Sequence, residues 1–486
     1  MQSGCINIKA HPMLDLNALS DFKHKSPKAF VETLYKGSGC KVVVLDDDPT
    51  GTQTVYNISC LTTWDEEAML EEFNNPEPLF YILTNSRSVS STEAYSINKL
   101  IGERIAIISA KCQKKYILIS RSDSTLRGHF PVEIEGLREG LQAPHLPCLI
   151  APAFFPGGRI TVNDLHYVKD GEHYIEVGKT EFSRDSYFGY HNSHLKFWVE
   201  EKSLGQVKAG DVASLSIYNI RNEGYEGVKQ FLNTLQSKQY AVINACSQED
   251  LDIVSHAFWL SIKEGKSFLI RSAASMVASL MGLSNRPYLS NIELTIKSDN
   301  YPNAEKNGGL MVMGSYVEKS TWQLNFLINA LSNNNRNFVH LELNTEDLIN
   351  SSHTDKIISD LSRQANAHLS SGKTVLMTTS RFLIRGKNSL EDLKINDTVA
   401  NALISVVKGI DQVPRFFVAK GGITSSTMAT ECLGIKKAFV LGQAMAGVPV
   451  WECGPESKFP GLPYVIFPGN VGNESSLFEL LKDLIT

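Results

Sequence analysis

No stretch of this 486-residue chain stays apolar for long. The most continuous runs are short, such as Val42-Val43-Val44-Leu45, whereas a membrane-spanning helix needs ~20 apolar residues. Neither sign of charge dominates. There are 47 Lys and Arg against 52 Asp and Glu, a net of -5, which leaves no electrostatic footprint for a nucleic acid. The eight cysteines, at 5, 40, 60, 112, 148, 246, 432 and 453, include no Cys-x-x-Cys pair, so they suit a reducing compartment better than a disulfide framework. His191 and His194 form the one close histidine pair, with no cysteine or carboxylate at ligand spacing, and read as a surface loop rather than a zinc site. The first residues, MQSGCINIKAHPMLDL, lack the basic and apolar regions of a signal peptide. A globular cytoplasmic protein without membrane or nucleic-acid partners is therefore expected.

What the chain does have is alternation. Near-continuous apolar runs at 41–45, 79–83, 116–120, 147–151, 212–217 and 240–245 read as strands covered on both faces, with helical patterns between several of them, as at 91–113 and 248–263. The pattern breaks near 283–308, which is rich in Asn, Ser, Pro and Lys. It restarts with strands at 309–314, 337–342, 373–379, 415–420, 438–441 and 463–467, and a closing helix near 474–485. The expectation is an α/β protein of two domains, 1–285 and 308–486, joined by a linker over 286–307. Each domain carries a mostly parallel sheet flanked by helices, with the active site in the cleft between them.

Chemistry concentrates where strands end. Asp46-Asp47-Asp48 follows the first strand and precedes Pro49-Thr50-Gly51-Thr52. Three adjacent carboxylates repel one another unless a cation or substrate hydroxyls occupy the place, and the carboxyl ends of parallel strands are where ligands bind. Ser120 to His129 (SRSDSTLRGH) follows another strand. Its two arginines, aspartate and hydroxyls suit a hydroxylated anion, since Arg grips a carboxylate in two places. Thr84-Asn85-Ser86-Arg87-Ser88 and Ala153 to Arg159 are strand ends of the same kind.

The second half has glycine instead. Lys420-Gly421-Gly422-Ile423-Thr424 and Pro468-Gly469-Asn470-Val471-Gly472 each link a strand to a helix, and such turns present backbone N–H groups to phosphates. Met313-Gly314-Ser315 is a third turn, where Ser315 and Glu318 fit a capping box. Gly372-Lys373-Thr374 only imitates a P-loop, because the required earlier glycine is Ala367 and a strand follows rather than precedes it. One half fitted to a hydroxylated anion and one fitted to phosphates point to phosphoryl transfer, which needs Mg²⁺, positive groups and a carboxylate beside the attacking hydroxyl. Two alternatives stay open. Asp46-x-Asp48-x-Thr50 also matches the nucleophile motif of haloacid-dehalogenase-like phosphatases, with Asp46 as nucleophile and Asp48 as acid, although the Gly210-Asp211 that could begin their metal motif leads to Leu215. A non-catalytic sugar-acid- or nucleotide-binding protein is the other.

Taken in order, these segments resemble the four-carbon acid sugar kinase family, in a divergent branch. The matching residues are Asp47-Asp48-Pro49-Thr50-Gly51, Ser86-Arg87, Asp123-Ser124-Thr125-Leu126-Arg127-Gly128, and Pro152-Ala153-Phe154 through Gly158-Arg159 to His166-Tyr167-Val168. In the second half they are Gly314-Ser315, Gly421 to Thr424 and Pro468 to Gly472. The resemblance spans about residues 40 to 475. It implies a sugar-acid-binding N-terminal domain, a nucleotide-binding C-terminal domain, and ATP- and Mg²⁺-dependent phosphorylation of the terminal hydroxyl of a sugar acid such as erythronate, threonate or 3-oxo-tetronate. By the same resemblance Asp47, Asp48 and Asp123 are the catalytic candidates, and Ser86, Arg87, Arg127 and Arg159 hold the acid. Ser315, Gly421, Gly422, Ile423, Thr424, Gly469, Asn470, Val471 and Gly472 hold ATP. Arg127 or Arg87 is expected to clamp the carboxylate. No residue is assigned to a metal, and a homo-oligomer is left open. Ile423 departs from the pattern, since the family commonly carries an acidic residue there.

Overall fold

A computed structural model describes residues 19, 21–23, 27–284, 286–297, 301–314, 318–334, 336–350, 353–381, 389–469 and 471–485. The first half contributes strands β1 (Lys41–Asp46), β2 (Ile58–Leu61), β3 (Leu79–Leu83), β4 (Tyr116–Arg121), β5 (Cys148–Ala151), β6 (Arg159–Val162), β7 (Leu165–Asp170), β8 (His173–Glu176), β9 (Ala213–Leu215), β10 (Tyr240–Ile243) and β11 (Leu269–Ser272). The second contributes β12 (Leu310–Met313), β13 (Phe338–Leu343), β14 (Thr374–Thr379), β15 (Phe417–Lys420), β16 (Lys437–Met445), β17 (Val448–Cys453) and β18 (Pro463–Phe467). Every residue of β1, β3, β12, β14, β15 and β18 is buried, as their unbroken apolar character requires once helices cover both faces. The α/β class, with a mostly parallel sheet flanked by helices, is observed.

The first half pairs β2-β3-β1-β4-β11-β5-β10-β9 in parallel, and the second pairs β13-β14-β12-β15-β18 in parallel. The two sets are not separate sheets. β17 and β16 continue from β18 in antiparallel fashion, and β16 pairs antiparallel with β2, giving one sheet of 15 strands. Its two parallel blocks therefore run in opposite senses along the hydrogen-bonded ladder. Twist reconciles this with a shared site. Five steps separate β1 from β18, and at about 20–25° per step they rotate the strand direction by roughly 100–125°. The carboxyl ends of both blocks thus come to face one cleft.

The expected long helices are present. Ser91–Cys112 opens on a capping box of Ser90 and Glu93, and Gln248–Lys263 on one of Ser247 and Asp250. The strand expected over 212–217 is cut to Ala213–Leu215 because the Ser216 side chain accepts from the backbone N–H of Asn219 and starts a helix at Ile217. Four features went unread in the sequence: β2, β11, β17, and the antiparallel meander β6-β7-β8. All are short or alternate weakly.

Side-chain hydrogen bonds help hold these parts together. Across the halves, the fully buried Trp451 of β17 donates its Nε1–H to Thr52 Oγ1 at 2.9 Å, tying the second half to the loop after β1. The meander is tied to the loop after β4 by His166, whose Nε2 lies 2.8 Å from Ser124 O and whose Nδ1 lies 2.9 Å from Thr161 Oγ1. Tyr190 adds a hydroxyl bond to Thr125 O at 2.6 Å.

Trp451→Phe leaves the buried Thr52 hydroxyl without its partner and is expected to lower stability by ~1–3 kcal/mol in urea unfolding. An unchanged midpoint would show that the tie carries no load. Burial pulls the His166 imidazole down to about 4, with the Ser124 carbonyl opposing. In the unfolded chain it titrates near 6.5, so the native state binds fewer protons between those values. Stability is then full above pH ~6.5 and declines as pH falls toward 4. His166→Asn is expected to flatten that decline when unfolding is compared at pH 7 and pH 5.

Candidate functional site

The site begins at the end of β1. Asp46 is almost fully buried, and Arg121, from the end of β4, reaches it at 3.0 Å. Burial, reinforced by Asp47 and Asp48 and opposed by Arg121, pushes Asp46 up to about 7. Asp47 is equally buried. Ser122 Oγ donates to its Oδ2 at 2.5 Å, and Arg87 and Arg121 approach its Oδ1 at 3.3 and 3.7 Å. Burial raises Asp47 despite both arginines.

Asp48 behaves differently. Its Oδ1 accepts from the backbone N–H of Thr50 at 2.8 Å, capping the short 3₁₀ turn Pro49–Thr54, and its Oδ2 pairs with Arg87 Nη2 at 2.7 Å. Burial pushes Asp48 up, but Arg87 and the Thr50 bonds more than reverse this and hold it below the usual carboxylate range.

A buried network supports these carboxylates. Arg271 donates to Ser122 Oγ at 2.7 Å and to Ser120 Oγ at 3.0 Å, and pairs with Glu133, which also accepts from Ser86 Oγ. Sequence reasoning missed Glu133 and Arg271. The signal for Arg271 was the short run Leu269-Ile270 ending in Arg-Ser, a strand end like the others.

The loop after β4 supplies Asp123, whose Oδ2 accepts from Arg127 Nε at 2.7 Å and also from Thr125 Oγ1. Burial works to raise Asp123, yet Arg127, Arg87 and these hydrogen bonds hold it far below the usual carboxylate range. Arg127 Nη1 also lies 3.7 Å from Asp185, and its guanidinium sits 5.2 Å from the ring centre of Phe182.

The second half faces this group with its two glycine turns. Gly421 adopts φ 110°, open to glycine and strained for other residues, and its N–H bonds Phe467 O at 2.8 Å. Gly422 begins the helix Gly422–Thr427, and a Cβ there would lie 2.8 Å from Asp48 Oδ2, so the two halves touch at this point. Buried Lys420 donates to Pro468 O at 3.2 Å, bracing the two turns against each other. Burial, with Lys319 adding, pulls it down to about 7.

A cleft of about 1640 Å³ lies between these surfaces. Asp48, Asp123, Arg87, Arg127 and Arg159 line it from one side, and Gly421, Gly422, Ile423, Thr424, Gly469, Val471 and Gly472 from the other. Ile423 is 73% exposed there. Two candidates do not reach the cleft. Asp47 and Ser86 lie behind its wall, drawn into the network of Ser122, Arg271 and Glu133. Ser315 and Asn470 fall outside the described residues. Asp46 is also behind the wall and paired with Arg121, so it cannot present a nucleophile to a substrate there, and the dehalogenase-like reading loses its first requirement. Gln53, Phe182, Asp185, Lys319, Thr379 and Ser380 line the cleft without having been singled out in the sequence.

A model of a sugar-binding N-terminal domain matches residues 42–280, and a model of a nucleotide-binding C-terminal domain matches residues 310–477. A curated D-erythronate kinase from Heliobacterium modesticaldum is 27% identical over 228 residues, 45% of this chain and 48% of that protein, so the match spans about half the relative's length. Two crystal structures share the fold over nearly the whole chain. One is a Haemophilus influenzae protein, at 16% identity and TM-score 0.61, covering 91% of this chain and 100% of that one. The other is a Salmonella typhimurium LT2 protein described provisionally as a tRNA synthase, at 15% identity and TM-score 0.64, covering 92% and 99%. With a sugar-binding and a nucleotide-binding domain matched in that order, and their strand ends gathered around one cleft, the chain belongs to the four-carbon acid sugar kinase family.

Proposed function

We propose that the chain is a kinase that transfers the terminal phosphoryl group of ATP to the terminal hydroxyl of a four-carbon sugar acid of the erythronate, threonate or 3-oxo-tetronate type. In this reading residues 1–285 hold the acid, 308–486 hold the nucleotide, and 286–307 join them. The observation that carries it is the meeting of Asp48 with Gly422, which sets a carboxylate of the acid half against a glycine turn of the nucleotide half. The curated relative named as a D-erythronate kinase supports the same reading.

The groups present fit ATP and a metal that travels with it. Gly421-Gly422 and Gly469 to Gly472 offer turns of the kind that cradle phosphates, and Thr379, Ser380 and Lys319 line the same wall. Among the described residues no three His, Cys, Asp or Glu side chains form a metal cage. That agrees with Mg²⁺, which usually keeps its waters and takes substrate phosphates plus one or two carboxylates, and Asp48 is a carboxylate at the right wall. Held at this wall beside Asp48, Mg²⁺ would supply positive charge to offset the negative charge that develops on the transferred phosphoryl group.

The chain's own residues supply position and a proton acceptor. Asp48, held ionised by Arg87 and Thr50, takes the proton of the attacking hydroxyl. Asp123 is committed to Arg127 and Thr125, so its part is to orient the acid's hydroxyls. Asp47 steadies Arg87 and Ser122 from behind.

The test is coupled ADP release with Mg-ATP against D- and L-threonate, D- and L-erythronate and the 3-oxo-tetronates. ADP release that depends on one acid is the expected result, and silence across the panel would contradict the reading. Asp48→Asn keeps an oxygen able to cap Thr50 but loses the charge, so the fold should survive. Its turnover is expected to fall by ~100-fold or more while calorimetric ATP binding stays within about twofold of the wild type.

A further inference from the structure

Accounting for every cation that lines the acid half of the cleft singles out one position. Arg121 is paired with Asp46 and Asp47, Arg87 with Asp47 and Asp48, Arg127 with Asp123 and Asp185, and Lys179 with Glu176 at 2.7 Å. Arg159 and Lys169 line the same cleft with no ion pair among the described residues.

Arg159, at the start of β6, donates through Nη1 only to the nearby Gly157 carbonyl, and its Nε is buried with no acceptor. Its guanidinium lies 6.0 Å from the Phe182 ring centre, on the aromatic that Arg127 also approaches. Burial pulls all four arginines below their ordinary value. Carboxylates more than reverse this at Arg87, Arg121 and Arg127, but not at Arg159, where Asp123 helps and Arg127 opposes. A buried N–H without an acceptor and a charge without a counter-charge are both costly, and one carboxylate bound at Arg159 satisfies both.

The surrounding contacts also give direction. Arg159 and Arg127 approach the same Phe182 ring, Arg127 is bonded to Asp123, Asp123 and Arg87 line the same wall, Arg87 pairs with Asp48, and Asp48 meets Gly422. This line of groups runs from the meander to the glycine turn. We propose that Arg159 is the carboxylate anchor of the cleft, so that the acid binds with its carboxylate against the meander and its far hydroxyl at Asp48. The inference rests on the kinase reading and deepens it. It reassigns the clamp that the sequence placed on Arg127 or Arg87, both of which already hold carboxylates of the protein. The meander β6-β7-β8, which carries Arg159 and Lys169, becomes the element that selects an acid over a neutral polyol.

The test compares D-erythronate with its neutral amide, D-erythronamide, in steady-state kinetics of the full chain, with Arg159→Ala and Arg159→Lys beside the wild type. Arg159→Ala is expected to raise KM for the acid roughly 30-fold or more, because a buried charge pair loses one partner. KM for ATP should stay near wild type, and kcat/KM for the amide should fall far less than for the acid, so the preference for acid over amide collapses. A preference that survives in Arg159→Ala overturns the proposal while leaving the kinase reading intact. Wild-type protein that neither turns over nor calorimetrically binds D-erythronate or any other acid of the panel overturns both. If circular dichroism shows Arg159→Ala to be unfolded, the decision passes to Arg159→Lys, which keeps the charge but loses the fork. A reduced acid preference there supports the assignment, and an unchanged one overturns it.

Discussion

At the carboxyl end of β1, Asp46 and Asp47 set two carboxylates side by side where water hardly reaches, with Asp48 next to them at the cleft wall, and an uncompensated buried charge there costs several kcal/mol. An exposed pair such as Lys36–Glu32 is screened by water and contributes little, so surface ion pairs do not decide this fold. The buried cluster does. It draws in Arg121 from β4 and Arg87 from the turn after β3, and a further tier of Ser122, Arg271, Glu133 and Ser86 braces the far oxygen of Asp47 through the Ser122 hydroxyl. Four parallel strands, β1, β3, β4 and β11, are thereby fixed at their ends by polar contacts as well as by the apolar core beneath them.

The same requirement sorts the cluster by role. Asp46 and Asp47 are spent inside the protein. Asp48 is the member that turns outward, and it does so at the place where the second half arrives with Gly422. That arrival depends on the sheet. β16 closes onto β2, Trp451 bonds Thr52 in the loop that follows Asp48, and accumulated twist swings the two sets of strand ends toward each other. The turn Pro49–Thr54 is thus contacted by both halves, through Trp451 at Thr52 and through Gly422 beside its cap Asp48.

Much of this was legible in the residues. Continuous apolar runs announced parallel strands, helical patterns over 91–113 and 248–263 announced the two long helices, and polar or glycine-rich strand ends announced much of the cleft lining. What stayed hidden depends on neighbours distant in sequence. Ser86 and Asp47 look like cleft residues until Glu133 and Ser122 are seen to hold them inward. The spacing of Arg87 and Arg127 beside Asp123 could not say that protein carboxylates already occupy them, or that Arg159 is left over. β2 and β11 are runs of four residues whose strand character comes from being sandwiched in the sheet rather than from any periodicity. The edge-to-edge union of the two halves rests on the pairing of Ile58–Leu61 with Lys437–Val440, a register no local pattern records.

The central claim is that one cleft holds both substrates, with the acid's hydroxyl and the nucleotide's terminal phosphate meeting between Asp48 and Gly422. A crystal structure with a non-hydrolysable ATP analogue and D-erythronate bound together tests it most directly. The account predicts the terminal phosphate over Gly421 and Gly422, and the acid lying from Arg159 to Asp48. A nucleotide bound outside this cleft, or an acid whose hydroxyls lie far from Asp48, would contradict it.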